Sequence, residues 1–289
     1  MSVALSTPVA RHAASVAGGP VRSAARAMNA AASRYGTAVT RVAASTAPPS
    51  SQRRDRGTLR CYTGRLLTSL IIAIDGPSGA GKGTLARRLA EALGYRHIDT
   101  GAMYRAVAWK AHQIGLPLDA ESELAELAER ADLRQEGGRI TIDDADVTRA
   151  IRTPEMDHSA ARVARLPAVR AILVERQRAL GDGGGVVMEG RDIGTVVFPG
   201  ADVKLFLDAS AEERARRRAH DDAHSGGQQG SVDRLKTDMA ARDQSDSTRK
   251  VAPLQMADDA IYVDTTGVDA DEVFARVLAL VTEKATGEL

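Results

Sequence analysis

The chain has 289 residues, 43% hydrophobic and 3% aromatic, with a formal net charge of +1. That length can bury a full core for one α/β domain with an insertion, or for two modest domains. No stretch approaches the roughly 18–20 consecutive apolar residues of a membrane helix, so no membrane partner is expected; the lone Cys61 rules out an intramolecular disulfide and fits a reducing, cytoplasmic setting.

Residues 1–68 carry ten Arg against one acid, Asp55, a net +9 that leaves −8 on the remainder. Rich in Ala, Ser, Thr and Gly and ending in the Pro/Ser/Arg stretch Ala47 to Arg56, this segment reads as disordered or processed. One explanation is an organelle transit peptide, Arg-rich, Ser-rich and acid-poor; the other is a nonfunctional extension, such as translation from too early a start. Poor helical periodicity and the lack of a clear cleavage site favour the second, and no apolar centre marks a secretory signal. The net-acidic remainder argues against nonspecific nucleic-acid binding, which needs a basic face.

From Ser69 the pattern changes. Leu70 to Ile74 is a continuous apolar run, as a strand buried on both faces requires, and Asp75-Gly76 ends it. Leu85, Leu89 and Leu93 form a helical stripe stopped by Gly94; Arg96 to Ile98 is a second strand, and Met103, Val107, Ala111 and Ile114 mark the next helix. This order predicts a three-layer parallel α/β fold. Leu116 to Arg152 breaks the rhythm with an acidic helix, Glu121 to Arg130, and a hairpin, Leu133 to Glu136 and Arg139 to Ile142, turning at Gly137-Gly138; it reads as an insertion. Helices follow at 154–164 and 167–180, then strands at Val186 to Glu189 and Val203 to Asp208. Helices near 210–222 and 231–242 flank a Gly/Gln/His-rich loop, and a strand, Ala260 to Asp264, precedes a last helix near 270–284.

Gly76-Pro77-Ser78-Gly79-Ala80-Gly81-Lys82-Gly83-Thr84 lies between the first strand and the start of a helix, where a phosphate-binding loop belongs. Glycines let backbone N–H groups converge on a β-phosphate, the helix N-terminus adds its dipole, and Lys82 adds a mobile positive charge. Gly83 follows the lysine, which moves the usual Ser/Thr magnesium position to Thr84. The Gly-Lys-Gly-Thr form resembles nucleoside monophosphate kinases, and no Asn-Lys-x-Asp element of a guanine reader is present.

Five further segments bear on the acceptor: Asp99-Thr100-Gly101-Ala102-Met103-Tyr104-Arg105 at a strand end, Ile151 to Glu155, Pro167 to Arg170, Glu189 to Pro199 at another strand end, and Arg242 to Leu254. Ligands of such folds gather at the carboxyl ends of strands. With the loop, and in order over about residues 70–282, these segments resemble the bacterial-type cytidylate kinase family, which carries an extra small domain where the insertion falls. The resemblance implies a three-layer P-loop NTPase fold with a central parallel sheet, a monophosphate-binding subdomain inserted at about 116–152 and a lid at about 214–232. It implies an ATP-dependent transferase of pyrimidine metabolism that phosphorylates CMP and dCMP with Mg2+, acting as a monomer.

Residue by residue, the resemblance puts Arg105 and Arg191 on the acceptor phosphate, where a planar guanidinium offers paired donors, with Asp99, Thr100 and Tyr104 in the same pocket. Arg170, Asp192 and Arg249 would address the cytosine, and Arg242 and Asp246 the sugar. The family's usual base-reading Ser is replaced by Ala161, with Ser159 two residues earlier. Asp99 has two readings, orienting magnesium-bound water or capping the helix near Gly101; Asp192 addresses the base or caps a turn. In the run Glu212 to Arg218 the arginines Arg214, Arg217 and Arg218 share a face, and Arg214 and Arg218 are favoured to swing over ATP as the lid closes. The histidines lack metal-ligand spacing, and Trp109 does not make a stacking platform. Two rivals remain open: a P-loop kinase with another small acceptor, such as UMP, AMP or a metabolite, and a noncatalytic ATP-gated binding module.

Overall fold

A computed structural model describes residues 69–221 and 232–286. The expectations for residues 1–68 and for most of the Gly/Gln/His-rich loop of the expected lid lie outside the described residues. In chain order the elements are β1 (Ile71–Asp75), α1 (Lys82–Leu93), β2 (Arg96–Asp99), α2 (Thr100–Gln113), α3 (Glu121–Arg130), β3 (Leu133–Glu136), β4 (Arg139–Ile142), β5 (Ala145–Asp146), α4 (Pro154–Val163) and α5 (Pro167–Gly181). Then come β6 (Val186–Glu189), one π-helical turn (Ile193–Val197), β7 (Val203–Asp208), α6 (Ala211–Ala219), α7 (Val232–Ser247), β8 (Ile261–Asp264) and α8 (Ala270–Thr286).

Five strands form a parallel sheet in the order β2-β6-β1-β7-β8. The apolar runs of β1 and β6 occupy its middle because both of their faces are covered. On one face Ile72 and Ile74 pack with Leu85, Leu89 and Leu93 of α1 and Val273, Val277 and Val281 of α8. On the other, Ala73, Ile98 and Met188 meet Val174 of α5 and Ile193 and Val197 of the π turn. Each fully buried branched side chain contributes about 1.5–3 kcal/mol, and the two apolar layers make this the three-layer P-loop NTPase fold. Because β6 lies between β1 and β2, the loops after β1 and β6 leave adjacent strand ends, as a ligand spanning both requires.

Residues 116–153 hold α3 and a three-stranded antiparallel sheet, β3-β4-β5; Ile140 and Ile142 of β4, with Val147 just after β5, pack on Ala102 and Ala106 of α2. The sequence predicts only the first two of these strands; β5 is two residues long and leaves no periodic trace. Ile114, predicted on the buried stripe of α2, is 57% exposed: the helix ends at Gln113 and Gly115 turns the chain at φ 69°. Helix α7 runs to Ser247, past the predicted end near 242. Its polar last turn is held by tertiary partners, Asp243 accepting from the Ser78 N–H at 3.1 Å and Asp246 from Arg191 Nε at 2.9 Å.

Candidate active site

The loop 76–84 joins the end of β1 to α1 through backbone that only glycine tolerates. A Cβ on Gly76 (φ 143°) would lie 1.9 Å from the Leu207 carbonyl oxygen, and one on Gly79 (φ 78°) 2.6 Å from the tip of Met239. The Lys82 side chain folds back over the loop, its Nζ donating to the Pro77 carbonyl at 2.7 Å. Burial first, and then the neighbouring Arg191, lower its ammonium pKa to about 7, with Glu189 and Asp243 opposing. The residue after Lys82 is glycine for a local reason: a Cβ there would come within 3.1 Å of the Glu189 carboxylate.

From the strand that carries the loop, Asp75 reaches across to the end of β6. Its carboxylate accepts from the Ile193 N–H at 2.8 Å and the Gly194 N–H at 2.7 Å, capping the π turn that follows Gly190-Arg191-Asp192. Burial raises its pKa to about 6 against the pull of those two bonds. Thr100 makes a parallel tie, its hydroxyl donating to the Glu189 carbonyl at 2.8 Å. Two short tethers thus fix the segment that presents Arg191 and Asp192.

A cleft of about 540 Å³ opens between the loop, α2, α4, the end of β6, α6 and α7. Lys82, Thr84, Asp99, Thr100, Tyr104, Arg105, Arg170, Arg191, Asp192, Arg218, Arg242, Asp246 and Arg249 all line it. Asp99 accepts from the Ala102 N–H at 2.9 Å, capping α2, and also pairs with Arg105 at 2.9 Å. Burial pushes its carboxyl up, but Arg105 and the Ala102 N–H help hold it below the usual range. Asp192 does not cap the π turn; it binds Arg170, whose guanidinium sits 5.7 Å above the Tyr104 ring. Burial of Tyr104 pushes its phenol up to about 12, so it is neutral near pH 7. For Asp246 burial pushes the carboxyl up, yet Arg191, Arg242 and Arg249 together keep it below its usual range.

Buried guanidinium groups are normally fully hydrogen-bonded. Here Arg105 Nε, Arg242 Nε, and Arg249 Nε and Nη2 are buried without hydrogen-bond partners. Four idle donors around one cleft suit an anionic, oxygen-rich ligand.

Of the predicted lid arginines, Arg218 lines the cleft and Arg214 does not. Arg214 lies behind the loop, donating to the Ser78 carbonyl at 3.1 Å and the Ala209 carbonyl at 3.0 Å and pairing with Asp243. Arg217 instead lines both this cleft and a second pocket on the other side of Gly81 and Thr84, held by Thr265 and Glu213. Sequence reasoning also missed Asp75, Asp157, Glu189 and His97. Glu189 and His97 pair at 2.9 Å in the cleft. A carboxylate ending a buried strand beside the loop was the available signal for Asp75 and Glu189.

Ser159 points away from the cleft to His112, 2.9 Å off, while Ala161 lines it. The Ser159 hydroxyl is therefore engaged outside the cleft. Among the described residues no three His, Cys, Asp or Glu side chains group to hold a metal by themselves, and no helix is long and apolar enough to cross a membrane.

A phosphate loop on a central parallel strand, facing an arginine-lined acceptor cleft, defines a P-loop phosphotransferase whose acceptor is itself an anion. Comparison with known proteins narrows this. The cytidylate kinase family model matches residues 72–283. The cytidylate kinase of Exiguobacterium sibiricum is 49% identical over 222 residues, covering 75% of this chain and 97% of that protein. That of Desulfitobacterium hafniense (strain Y51) is 48% identical over 219 residues, covering 75% and 94%. The chain belongs to the cytidylate kinase family.

Proposed function

We propose that this chain transfers the γ-phosphoryl group of ATP to CMP and dCMP, working as a monomer in the cytoplasm. The observation that carries the reading is the single cleft in which the loop of Lys82 faces Arg191 together with Arg105, Arg242 and Arg249, the last three with idle guanidinium donors.

The triphosphate of ATP would lie on the loop N–H groups and Lys82. Its adenosine fits the second pocket, about 460 Å³, which Arg216, Arg217, Gly267 and Val268 line and which shares Gly81 and Thr84 with the cleft. Arg105 and Arg191 would hold the CMP phosphate, Arg170, Asp192 and Arg249 the base, and Arg242 and Asp246 the sugar. The acceptor phosphate oxygen is already deprotonated near neutral pH, so no general base is needed; alignment and charge stabilisation lower the barrier. Lys82 and Arg218 would neutralise the negative charge that spreads over the transferring group.

Magnesium fits the donor set beside the loop: the Thr84 hydroxyl and the Asp99 and Glu189 carboxylates are hard oxygen ligands in one cleft, and this ion takes few protein ligands beside substrate phosphates. Thr84 would hold it directly, Asp99 and Glu189 through water, and it would supply charge neutralisation at the donor phosphates.

A coupled assay of ADP release with CMP, dCMP, UMP, AMP and a hydroxylated metabolite tests the reading. CMP and dCMP are expected to turn over fastest; preference for AMP or the metabolite would refute it, and ATP binding with no acceptor-dependent ADP release would favour the binding module. Ala161 makes a second expectation. Restoring the hydroxyl with Ala161→Ser should raise the CMP:UMP ratio of kcat/KM by up to about tenfold, the worth of one hydrogen bond; equal ratios would remove that role for the position.

Lys82 gives ATP binding a pH signature. With its ammonium pKa at about 7 in the free chain, the side chain is mostly neutral above that pH, and a bound triphosphate favours the cation. Binding should therefore take up close to one proton near about pH 8 and almost none below about pH 6, with affinity falling by up to about tenfold per pH unit as pH rises above 7. Calorimetry in buffers of different ionisation enthalpy reads the uptake directly; a flat profile would show that Lys82 is charged before ATP arrives.

A further inference from the structure

Asp157, on α4, has no part in the assignments above, yet three guanidinium groups from three other elements converge on it. Arg242 Nη1 of α7 lies 3.0 Å from its Oδ1, Arg105 Nη1 of α2 lies 3.7 Å from the same oxygen, and Arg218 of α6 donates to Oδ2. Its side chain is 9% exposed. In sequence it reads as a first-turn acid that suits the dipole of α4.

Helix α4 does not depend on that charge for its place. Thr153 caps it, Pro154 opens it, and Met156, Ala160 and Val163 bury its apolar face. A carboxylate sunk among arginines costs desolvation, which a purely apolar contact would avoid. What Asp157 adds is a bond across the cleft, from the acceptor-side helix α4 to the lid helix α6. The other two lid arginines are anchored on the donor side, Arg214 at Ser78 and Arg217 at Thr265. Among the described residues, Arg218 is the one of the three held from the acceptor side, by Asp157.

We propose that Asp157 is a positioning residue for phosphoryl transfer: it draws Arg218 across the closed cleft and fixes its guanidinium over the line between donor and acceptor phosphates. The inference rests on the kinase reading above, and on Arg218 as the charge that meets the transferring group. A long arginine on a lid would otherwise spread over many rotamers, and a fixed partner on the opposite wall removes that freedom. The same contact gives the lid a reason to close only when α4 is in place against the acceptor.

The test is a double-mutant cycle on the full chain, with CMP-dependent kcat and KM measured for wild type, Asp157→Asn, Arg218→Ala and the pair. Each single change should lower kcat by about tenfold or more, the scale of one charge-assisted hydrogen bond lost at the transition state, while KM for ATP moves less than about threefold. The pair should be no slower than Arg218→Ala alone. Multiplicative losses in the pair, or wild-type kcat in Asp157→Asn, would overturn the proposal. Should Asp157→Asn fail to fold, Asp157→Ser, which is smaller and equally uncharged, carries the same expectation. If wild type prefers another acceptor, the kinase assignment to CMP fails while the cycle, run with that acceptor, still decides the role of Asp157.

Discussion

Lys82→Ala is expected to lower kcat by about 100- to 1,000-fold, the range for removing one preorganised charge from a water-poor active site. The fold should survive. Lys82 is buried at the start of α1, but among the described residues its Nζ bonds only to the Pro77 carbonyl of its own loop, and burial already works against its charge. Alanine is a strong helix former at that position, so deletion removes a desolvation penalty along with one hydrogen bond. Melting temperature should stay within a few degrees of wild type while ADP release collapses. Lys82→Met, which keeps the bulk, should be equally slow; near-normal turnover in either variant would refute the role given to this ammonium group.

Much of the architecture was legible because local signals agreed. The apolar run of β1, the glycines at 76–81, Lys82 and the leucine stripe of α1 each specify the same strand, loop and helix, and the sheet order then follows from a fold with few alternatives. The arginines proposed for the acceptor were legible only through a motif resemblance, because an Arg on a helix face has no pattern that distinguishes a ligand donor from a solvated side chain.

What the sequence withheld depends on distance along the chain. The π turn Ile193–Val197 has no helical periodicity and is capped by Asp75, 118 residues away. That Arg218 and Arg217 line the cleft, Arg217 the second pocket as well, and Arg214 neither cannot be read from their shared helix face. It is decided by Asp243 on α7, which draws Arg214 behind the loop, and by Thr265 at the end of β8, which fixes Arg217. Asp157 shows the same limit, since only the packing of α2, α6 and α7 around α4 turns a first-turn acid into a meeting point of three arginines.

Arg191→Ala should separate the two substrates. Arg191 leaves the end of β6 with its Nε bonded to Asp246 at 2.9 Å and its Nη1 to the Gly190 carbonyl at 3.2 Å, so its remaining N–H groups are the ones offered to the cleft. Losing a paired guanidinium–phosphate contact should raise KM for CMP by about 10- to 100-fold, at about 1.5–3 kcal/mol per charged bond, with kcat falling as well. ATP should behave differently. After burial, Arg191 is the main influence that discharges Lys82 in the free chain. Without it the ammonium regains its proton at higher pH, so ATP affinity near about pH 8 should hold or tighten and proton uptake on binding should shrink. Arg191→Lys should restore the ATP behaviour more completely than CMP use, because a point charge reproduces the field of a guanidinium but not its paired donors. A loss of ATP affinity equal to the loss for CMP, measured by calorimetry, would move Arg191 from the acceptor to the donor side.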